Sequence, residues 1–264
     1  MNPSEASTTS QIERWASRQL ADYDACQPGT MFADGVVLDM IQAYQIQLAV
    51  AKLRCGRGEQ VVGYKVGCTS PKIRAQLGID HCVTGRLYDS EQHTSGKELS
   101  RAKYANLAIE GELAVELSHK PTEPDFLEPG IPACVARVFP VIELHNYVMR
   151  GEQPSASELI AHNALHAGFV AGRGISPQAA DGEPSLAILM NDQLLEECAG
   201  FPLIQTIHSS LKWLMETVRD RDDQLAAGQI VLTGSLPSLI PIYKDGHISV
   251  DAPPFGKVEV NLTT

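Results

Sequence analysis

No C-x-x-C pair occurs in this 264-residue chain, and its six cysteines (Cys26, Cys55, Cys68, Cys82, Cys134 and Cys198) are scattered. That spacing gives neither a disulfide framework nor a Cys-built zinc site, so reduced thiols are expected. No window approaches the roughly 18 uninterrupted apolar residues that a membrane helix needs. The opening "MNPSEASTTS" has no basic stretch leading into an apolar one, so a soluble, unexported, cytoplasmic protein is expected. Positive charge is also scarce: 21 Lys and Arg against 32 Asp and Glu give a net charge of −11. With no local basic patch, long-range repulsion excludes a phosphate backbone as partner. There is no G-x-S-x-G, hence no support for an α/β-hydrolase nucleophile elbow. "GRGEQVVGYK" has P-loop glycine spacing at Gly58 and Gly63, but Tyr64 stands where the lysine belongs and no Ser or Thr follows Lys65. "HNALH" spaces His162 and His166 as zinc hydrolases do, with Asn163 in place of their general-base glutamate.

What is present is a chain with 44% hydrophobic residues, enough for one catalytic-sized core. Residues 1–60 read as a helical N-terminal layer. Its first helix starts at a capping box, Ser10 and Glu13, and buries Ile12, Trp15, Ala16, Leu20 and Tyr23. Its second is capped by Asp34, with Val37, Ile41, Tyr44, Leu48 and Ala51 as its stripe. From residue 61 strands dominate. "VVGYKVG" is a strand, followed by a helix that Ser70 caps, Pro71 starts and Gly78 ends. "SASELIAHNALHAGFVAG" is predicted to be a helix with its own capping box, Ser155 and Glu158. "LAILMNDQLLEE" is predicted to be a hairpin turning at Asn191-Asp192. A helix covers Leu203 to Arg219, ahead of a Gly-, Pro- and β-rich tail. Helices first and a mixed strand-rich body after them, residues 61–264, make the fold class α+β in a single catalytic domain.

Two stretches carry candidate chemistry. In "LAIEGELAVEL" the period of a strand puts Glu110, Glu112 and Glu116 on one face, and Ile109, Leu113, Val115 and Leu117 on the other. On its own this pattern also describes a half-solvated strand. "VFPVIELHNYV" places Glu143 inside an apolar run with no Lys or Arg nearby in sequence, where an unpaired carboxylate would cost several kcal/mol. Glu110, Glu112 and Glu143 together could offer a hard divalent ion three oxygen ligands, with Glu116 left to solvent. Lys65 shares a strand face with Gly63 and Gly67, which would let a ligand come close to its ammonium. A solvated surface lysine is the other reading.

The ordered set "GYKVGCTS", "LGID", "GRL", "IEGELAVEL", "VIEL", "AHNALHAGFVAG", "VLTGSLPSLIPI" and "FGKVEVNL" runs through the chain from about Ile12 onward. It resembles the 2-keto-4-pentenoate hydratase and 4-oxalocrotonate decarboxylase family, whose fold is similar to the C-terminal fold of fumarylacetoacetate hydrolases. The resemblance implies Mg²⁺ or Mn²⁺ at Glu110, Glu112 and Glu143. It also implies Lys65 beside the 2-oxo acid end of a substrate, with the "TGS" loop (Thr233, Gly234, Ser235) and Arg86 and Leu87 of "GRL" lining the site. Asp89 and His162 are candidates for handling protons. The chain departs from the family where Glu143 is followed by Leu144, His145, Asn146, Tyr147 and Val148 instead of x-x-Asp-Ser-Arg. It departs again where His162 replaces the aspartate of Ala-Asp-Asn.

The implied activity is a metal-dependent lyase adding water to a 2-hydroxy-2,4-dienoate to give a 4-hydroxy-2-oxo acid, chemistry of the kind used in aromatic catabolism. Decarboxylation of a 2-oxo-3-enedioate is the near alternative, with Arg86 to receive the second carboxylate. C–C hydrolysis of an acylpyruvate-like compound, and a non-catalytic subunit that binds metal and oxo acid, are more distant ones. The expected partners are a small 2-oxo or 2-hydroxydienoic acid and further copies of the chain in a homo-oligomer, with no nucleic acid and no membrane.

Overall fold

The computed structural model describes residues 3–148, 155–219 and 224–264. Helices α1 (Pro3–Asp24), α2 (Thr30–Ala33) and α3 (Met40–Gly56) form the N-terminal layer. Two of its details differ from expectation. Helix α1 already runs through Ser10, which is therefore no cap. Helix α3 is capped by Asp39, in a reciprocal box with Gln42, while Asp34 follows α2 and pairs with Arg18 at 2.7 Å. Starting there, α3 buries Ala43, Ile46, Gln47, Ala51 and Arg54, and leaves Val37 and Ile41 89% and 71% exposed. Polar anchors set this face. Gln47 Nε2 donates to Thr84 O at 2.8 Å and Ile160 O at 3.0 Å, and the Arg54 guanidinium stacks 3.7 Å over the Tyr88 ring. A buried polar group must be satisfied, so these contacts outrank the apolar stripe.

The body contains two sheets. The larger runs in the order β2 (Val83–Tyr88), β1 (Val61–Gly67), β10 (Ile230–Leu232), β5 (Leu107–Leu117), β6 (Val135–Asn146), β7 (His166–Ala171), β3 (Gln92–Thr94), with β11 (Ile240–Pro241) also on β5. The smaller runs in the order β4 (Lys97–Ser100), β13 (Lys257–Thr263), β12 (Gly246–Asp251), β8 (Ser185–Met190), β9 (Gln193–Ala199). Helix α4 (Pro71–Leu77) starts at Pro71 and ends at Gly78 in the left-handed conformation, as predicted. Helix α6 (Phe201–Arg219) is the helix expected over Leu203 to Arg219. The β8–β9 hairpin turns at Asn191 and Asp192, both at positive φ. The main core lies between the sheets, where Ile109, Leu113, Val115, Ile142 and Leu144 meet Ile188, Ile248, Val250 and Val260. The α+β class, with helices ahead of a mixed body, is the architecture observed.

Residues 155–171 are not one helix. Helix α5 (Ala156–Ala161) is short, Ser155 makes no capping hydrogen bond, and Asn163, Ala164 and Leu165 all take positive φ. The chain then enters β7, which pairs with β6 and β3. Three successive left-handed residues end any helix, and an apolar run buried on both faces looks the same in a helix or a strand.

A polar network ties the helical layer to the sheet. Arg54 binds Glu59 and Glu91, and Glu91 accepts from the Tyr23 hydroxyl. Burial alone would raise the Glu59 carboxyl, but hydrogen bonds from Arg54, Ser90 and Arg57 outweigh it and hold the pKa at about 2. A depressed carboxylate stabilises the fold fully above its ordinary value of 4.5 and loses that contribution as pH falls toward about 2. Glu59→Gln should therefore cost about 1–2 kcal/mol at pH 7 and flatten the decline in stability between pH 4.5 and 2, measured by urea unfolding across pH.

Candidate active site

Strands β5 and β6 pair in a register that sets Glu110 opposite Glu143 and Glu112 opposite Val141. Directly opposed residues share a face, and so do residues two apart. Glu110, Glu112, Glu143 and His145 therefore project together, away from the inter-sheet core. Gly111 makes this possible from behind: a Cβ there would stand 2.7 Å from Ile188 and 2.9 Å from Val250. A glycine between the two glutamates lets the second sheet close on the back of β5.

Strand β1 reaches the same face through β10. Lys65 lies opposite Leu232, and Leu232 lies opposite Ala114. Lys65 is 3% exposed. Its Nζ lies 2.8 Å from Glu143 Oε1 and donates to Ala164 O at 3.1 Å. The same Glu143 oxygen accepts from His166 Nδ1 at 2.7 Å. So the carboxylate that lacks a cation near it in sequence has one supplied from β1. The flanking glycines serve a different purpose from the ligand approach expected for them. A Cβ on Gly63 would stand 1.8 Å from Ile230 O of β10, and one on Gly67 would stand 3.3 Å from Val83 Cγ2. Across the ladder, a Cβ on Gly85 would meet Asn163 O at 2.5 Å and Lys65 Cγ at 3.0 Å, so Gly63 lets β10 close on β1, and Gly85 makes room for the lysine stem and the left-handed segment that roofs it.

Charge is divided unequally among these groups. Burial would raise the Glu143 carboxyl, but Lys65, then His145 and His166, hold it well below the usual carboxylate range. Burial, then Glu143 and Glu110, push Glu112 well above it. Lys65 would be lowered by burial, yet Glu143, Glu110 and Glu112 together raise it. Burial likewise works against a charged His145, and Glu143 outweighs it. Without a cation, the surroundings favour the anion at Glu143 and disfavour it at Glu112.

The donor set fits a divalent ion. Glu112 Oε2 accepts from the Gly234 amide, while its buried Oε1 has no hydrogen-bond partner. Glu110, Glu143 and His145 each present a ligand atom within 4.8 Å of the others. Three carboxylates gathered around one lysine repel one another, a repulsion that a hard cation would relieve. Glu110, with 22% of its side chain exposed, marks the open side of the cluster.

Several residues expected at the site lie elsewhere. Asp89 is exposed, and its Oδ1 accepts from the Gln60 and Ser90 amides at the far end of β2, four residues beyond Gly85. His162 belongs to the helical layer, where Nδ1 meets Gln19 and the ring packs on Phe32 at 5.4 Å. Arg86 alternates to the face opposite Gly85, and its Nη1 donates to Gln47 at 3.0 Å. Leu87 is fully buried in the small cluster with Ala114 and Phe139. The "TGS" loop does reach the site, but through Glu112. Thr233 Oγ1 donates to Leu113 O, Ser235 Oγ donates to Gly111 O and Pro237 O, and the Gly234 amide aims the carboxylate. Glu116 is not left to solvent but pairs with Arg137 at 2.6 Å. Two residues at the cluster were not anticipated, His145 and His166. The period of β6 already places His145 on the face of Glu143. His166 becomes visible only once residues 166–171 are read as a strand.

The class defined here is a mixed two-sheet α+β fold with acidic side chains, a histidine and a buried lysine gathered on one sheet face, a set that could hold a metal ion. Among relatives, the chain is 27% identical over 227 residues to a 2-keto-4-pentenoate hydratase from Burkholderia vietnamiensis (strain G4 / LMG 22486), covering 85% of this chain and 87% of that protein. It is 24% identical over 225 residues to a 4-oxalocrotonate decarboxylase from Pseudomonas sp. (strain CF600), covering 84% and 82%. A solved 4-oxalocrotonate decarboxylase from Pseudomonas putida G7, complexed with magnesium and adipate, superimposes with a TM-score of 0.85 at 22% identity, over 96% of this chain and 97% of that one. No family model matches. The chain is thus similar in sequence to 2-keto-4-pentenoate hydratases and 4-oxalocrotonate decarboxylases, and it shares the fold of the solved decarboxylase.

The unequal charge states separate two otherwise similar substitutions. Glu143→Gln strands a buried lysine and should destabilise the metal-free protein by about 2–4 kcal/mol. Glu112→Gln removes a carboxyl that burial, Glu143 and Glu110 already disfavour as an anion, and should cost the metal-free protein less than Glu143→Gln. Urea unfolding in the presence of a chelator gives both values.

Proposed function

We propose that this protein is a divalent-metal-dependent hydro-lyase that adds water to a 2-hydroxy-2,4-dienoate to give a 4-hydroxy-2-oxo acid. The observation that carries this reading is the convergence of Glu110, Glu112 and Glu143 on one face with Lys65 in contact. Hydratases among the relatives support it. In the reaction the enol proton leaves the 2-oxygen, one proton is added at C5, and water adds across C3 and C4 with its oxygen at C4. When bound, Mg²⁺ or Mn²⁺ supplies positive charge that polarises the oxygens of the 2-oxo acid end and favours its enolate form.

The chain's own residues prepare for that charge. Glu110, Glu112 and Glu143 would hold the cation. Lys65 keeps Glu143 ionised and aimed, and it presents a fixed positive charge to the 2-oxo acid end. The Gly234 amide and the Thr233 and Ser235 hydroxyls fix the loop that orients Glu112. Burial of the cluster on every side but that of Glu110 excludes water from the carboxylates, which strengthens each of these interactions.

Decarboxylation is the second reading, supported by relatives of that name. Arg86, the residue expected to receive a second carboxylate, is turned to the opposite face of β2 and engaged by Gln47, which favours the hydratase. The unpaired state of all six cysteines supports a reducing compartment, the cytoplasm. The exposed Val37, Ile41 and Leu48 around α3 support assembly into a homo-oligomer. Among the described residues no helix is long and apolar enough to cross a membrane.

The test is a panel of 2-hydroxydienoates and 2-oxo-3-enedioates incubated with Mg²⁺- or Mn²⁺-loaded protein, with ultraviolet loss and CO₂ release recorded together. Loss of the dienol without CO₂ is expected. CO₂ release in step with the absorbance change would make it a decarboxylase, and no turnover above the solvent rate would make it a non-catalytic binder. Lys65→Met should lower kcat/KM by about 10²-fold or more, the scale of removing one electrostatic stabiliser.

A further inference from the structure

His145 is 2% exposed, and neither of its ring nitrogens makes a hydrogen bond. A buried imidazole with two unsatisfied nitrogens is unusual, because such groups almost always find a partner. Its surroundings show what the ring faces. Nε2 lies 3.3 Å from Glu110 Oε2 and 3.5 Å from Glu143 Oε2. Lys65 and His166 both occupy the other oxygen of Glu143, so Oε2 is the atom left to turn toward His145 and Glu110. Two ligands about 2.1 Å from one ion stand about 3.0 Å apart at a right angle and about 3.4 Å apart at the tetrahedral angle. The separations around Nε2 are those of a ligand set already gathered.

We infer that His145 is a nitrogen ligand of the divalent cation, joining the carboxylates of Glu110 and Glu143 in a mixed nitrogen and oxygen site. The inference rests on the metal-dependent reading above and adds a ligand to it. Its consequence is selectivity. An all-carboxylate set suits Mg²⁺, whereas an imidazole shifts preference toward Mn²⁺, Co²⁺ and Zn²⁺. Strand β6 makes this geometrically simple: a residue two positions beyond Glu143 projects from the same face. In this chain that position holds an imidazole.

The test uses the full chain stripped of metal with a chelator. Isothermal titration with Mg²⁺ and with Mn²⁺ gives the preference, and electron spin echo modulation of the Mn²⁺-loaded protein reports directly bound nitrogen. The expected result is Mn²⁺ binding about tenfold or more tighter than Mg²⁺, with ¹⁴N modulation from a bound imidazole. His145→Gln should abolish the modulation, weaken Mn²⁺ about tenfold or more, and move Mg²⁺ by less than about threefold. Mn²⁺ bound without nitrogen modulation in the unsubstituted protein would overturn the assignment of His145 and leave the metal-dependent reading standing. Failure of both ions to bind would overturn both. The measurement on the unsubstituted protein decides the matter even if the variant fails to fold.

Discussion

Lys65 and Glu143 sit on strands with two others between them, and their contact is the buried ion pair around which the cluster is built. Three strand spacings amount to about 14 Å in a flat sheet, close to the combined reach of the two extended side chains. Both are buried, so neither could be ionised without the other. Once paired, they fix Glu143 as the permanent anion. Glu112, within the field of that anion and out of water, is disfavoured as an anion. The cluster is therefore a site built with an excess of carboxylate, held open by one lysine.

The surrounding fold serves that arrangement. Gly111 lets the second sheet press on the back of β5, and Gly85 admits the segment Asn163 to Leu165, which supplies the Ala164 carbonyl that Lys65 also binds. Asn163 secures this segment by accepting from the Arg86 amide and donating to the Arg86 carbonyl. The left-handed backbone at these three residues is the cost of bringing His166 up to Glu143 directly after a helix.

Much of the site was legible from strand periodicity alone. Alternation put Glu110 and Glu112 together, and the apolar context of Glu143 marked it as a carboxylate in need of a cation. What periodicity could not supply was the identity of that cation, because Lys65 is distant in sequence and meets Glu143 only through sheet order. Gly63 and Gly85 beside Lys65 accommodate neighbouring backbone. Asp89, His162 and Arg86 were expected at the site from motif position; their local hydrogen bonds place them on other faces. Residues 155–171 were misjudged because a Ser-x-x-Glu start and histidines four apart imitate a helix, while the three left-handed residues leave no sequence signal. In α3 the buried Gln47 and Arg54 turned the helix away from its most apolar stripe.

The sharing of one divalent cation by Glu110, Glu112 and Glu143 is tested most directly by diffraction from Mn²⁺-soaked crystals at the manganese absorption edge. The account predicts a single anomalous peak on this sheet face, about 2.1–2.4 Å from an oxygen of each of the three carboxylates. A peak elsewhere, or none there with Glu112 still uncoordinated beside the closed Lys65 and Glu143 pair, would contradict it.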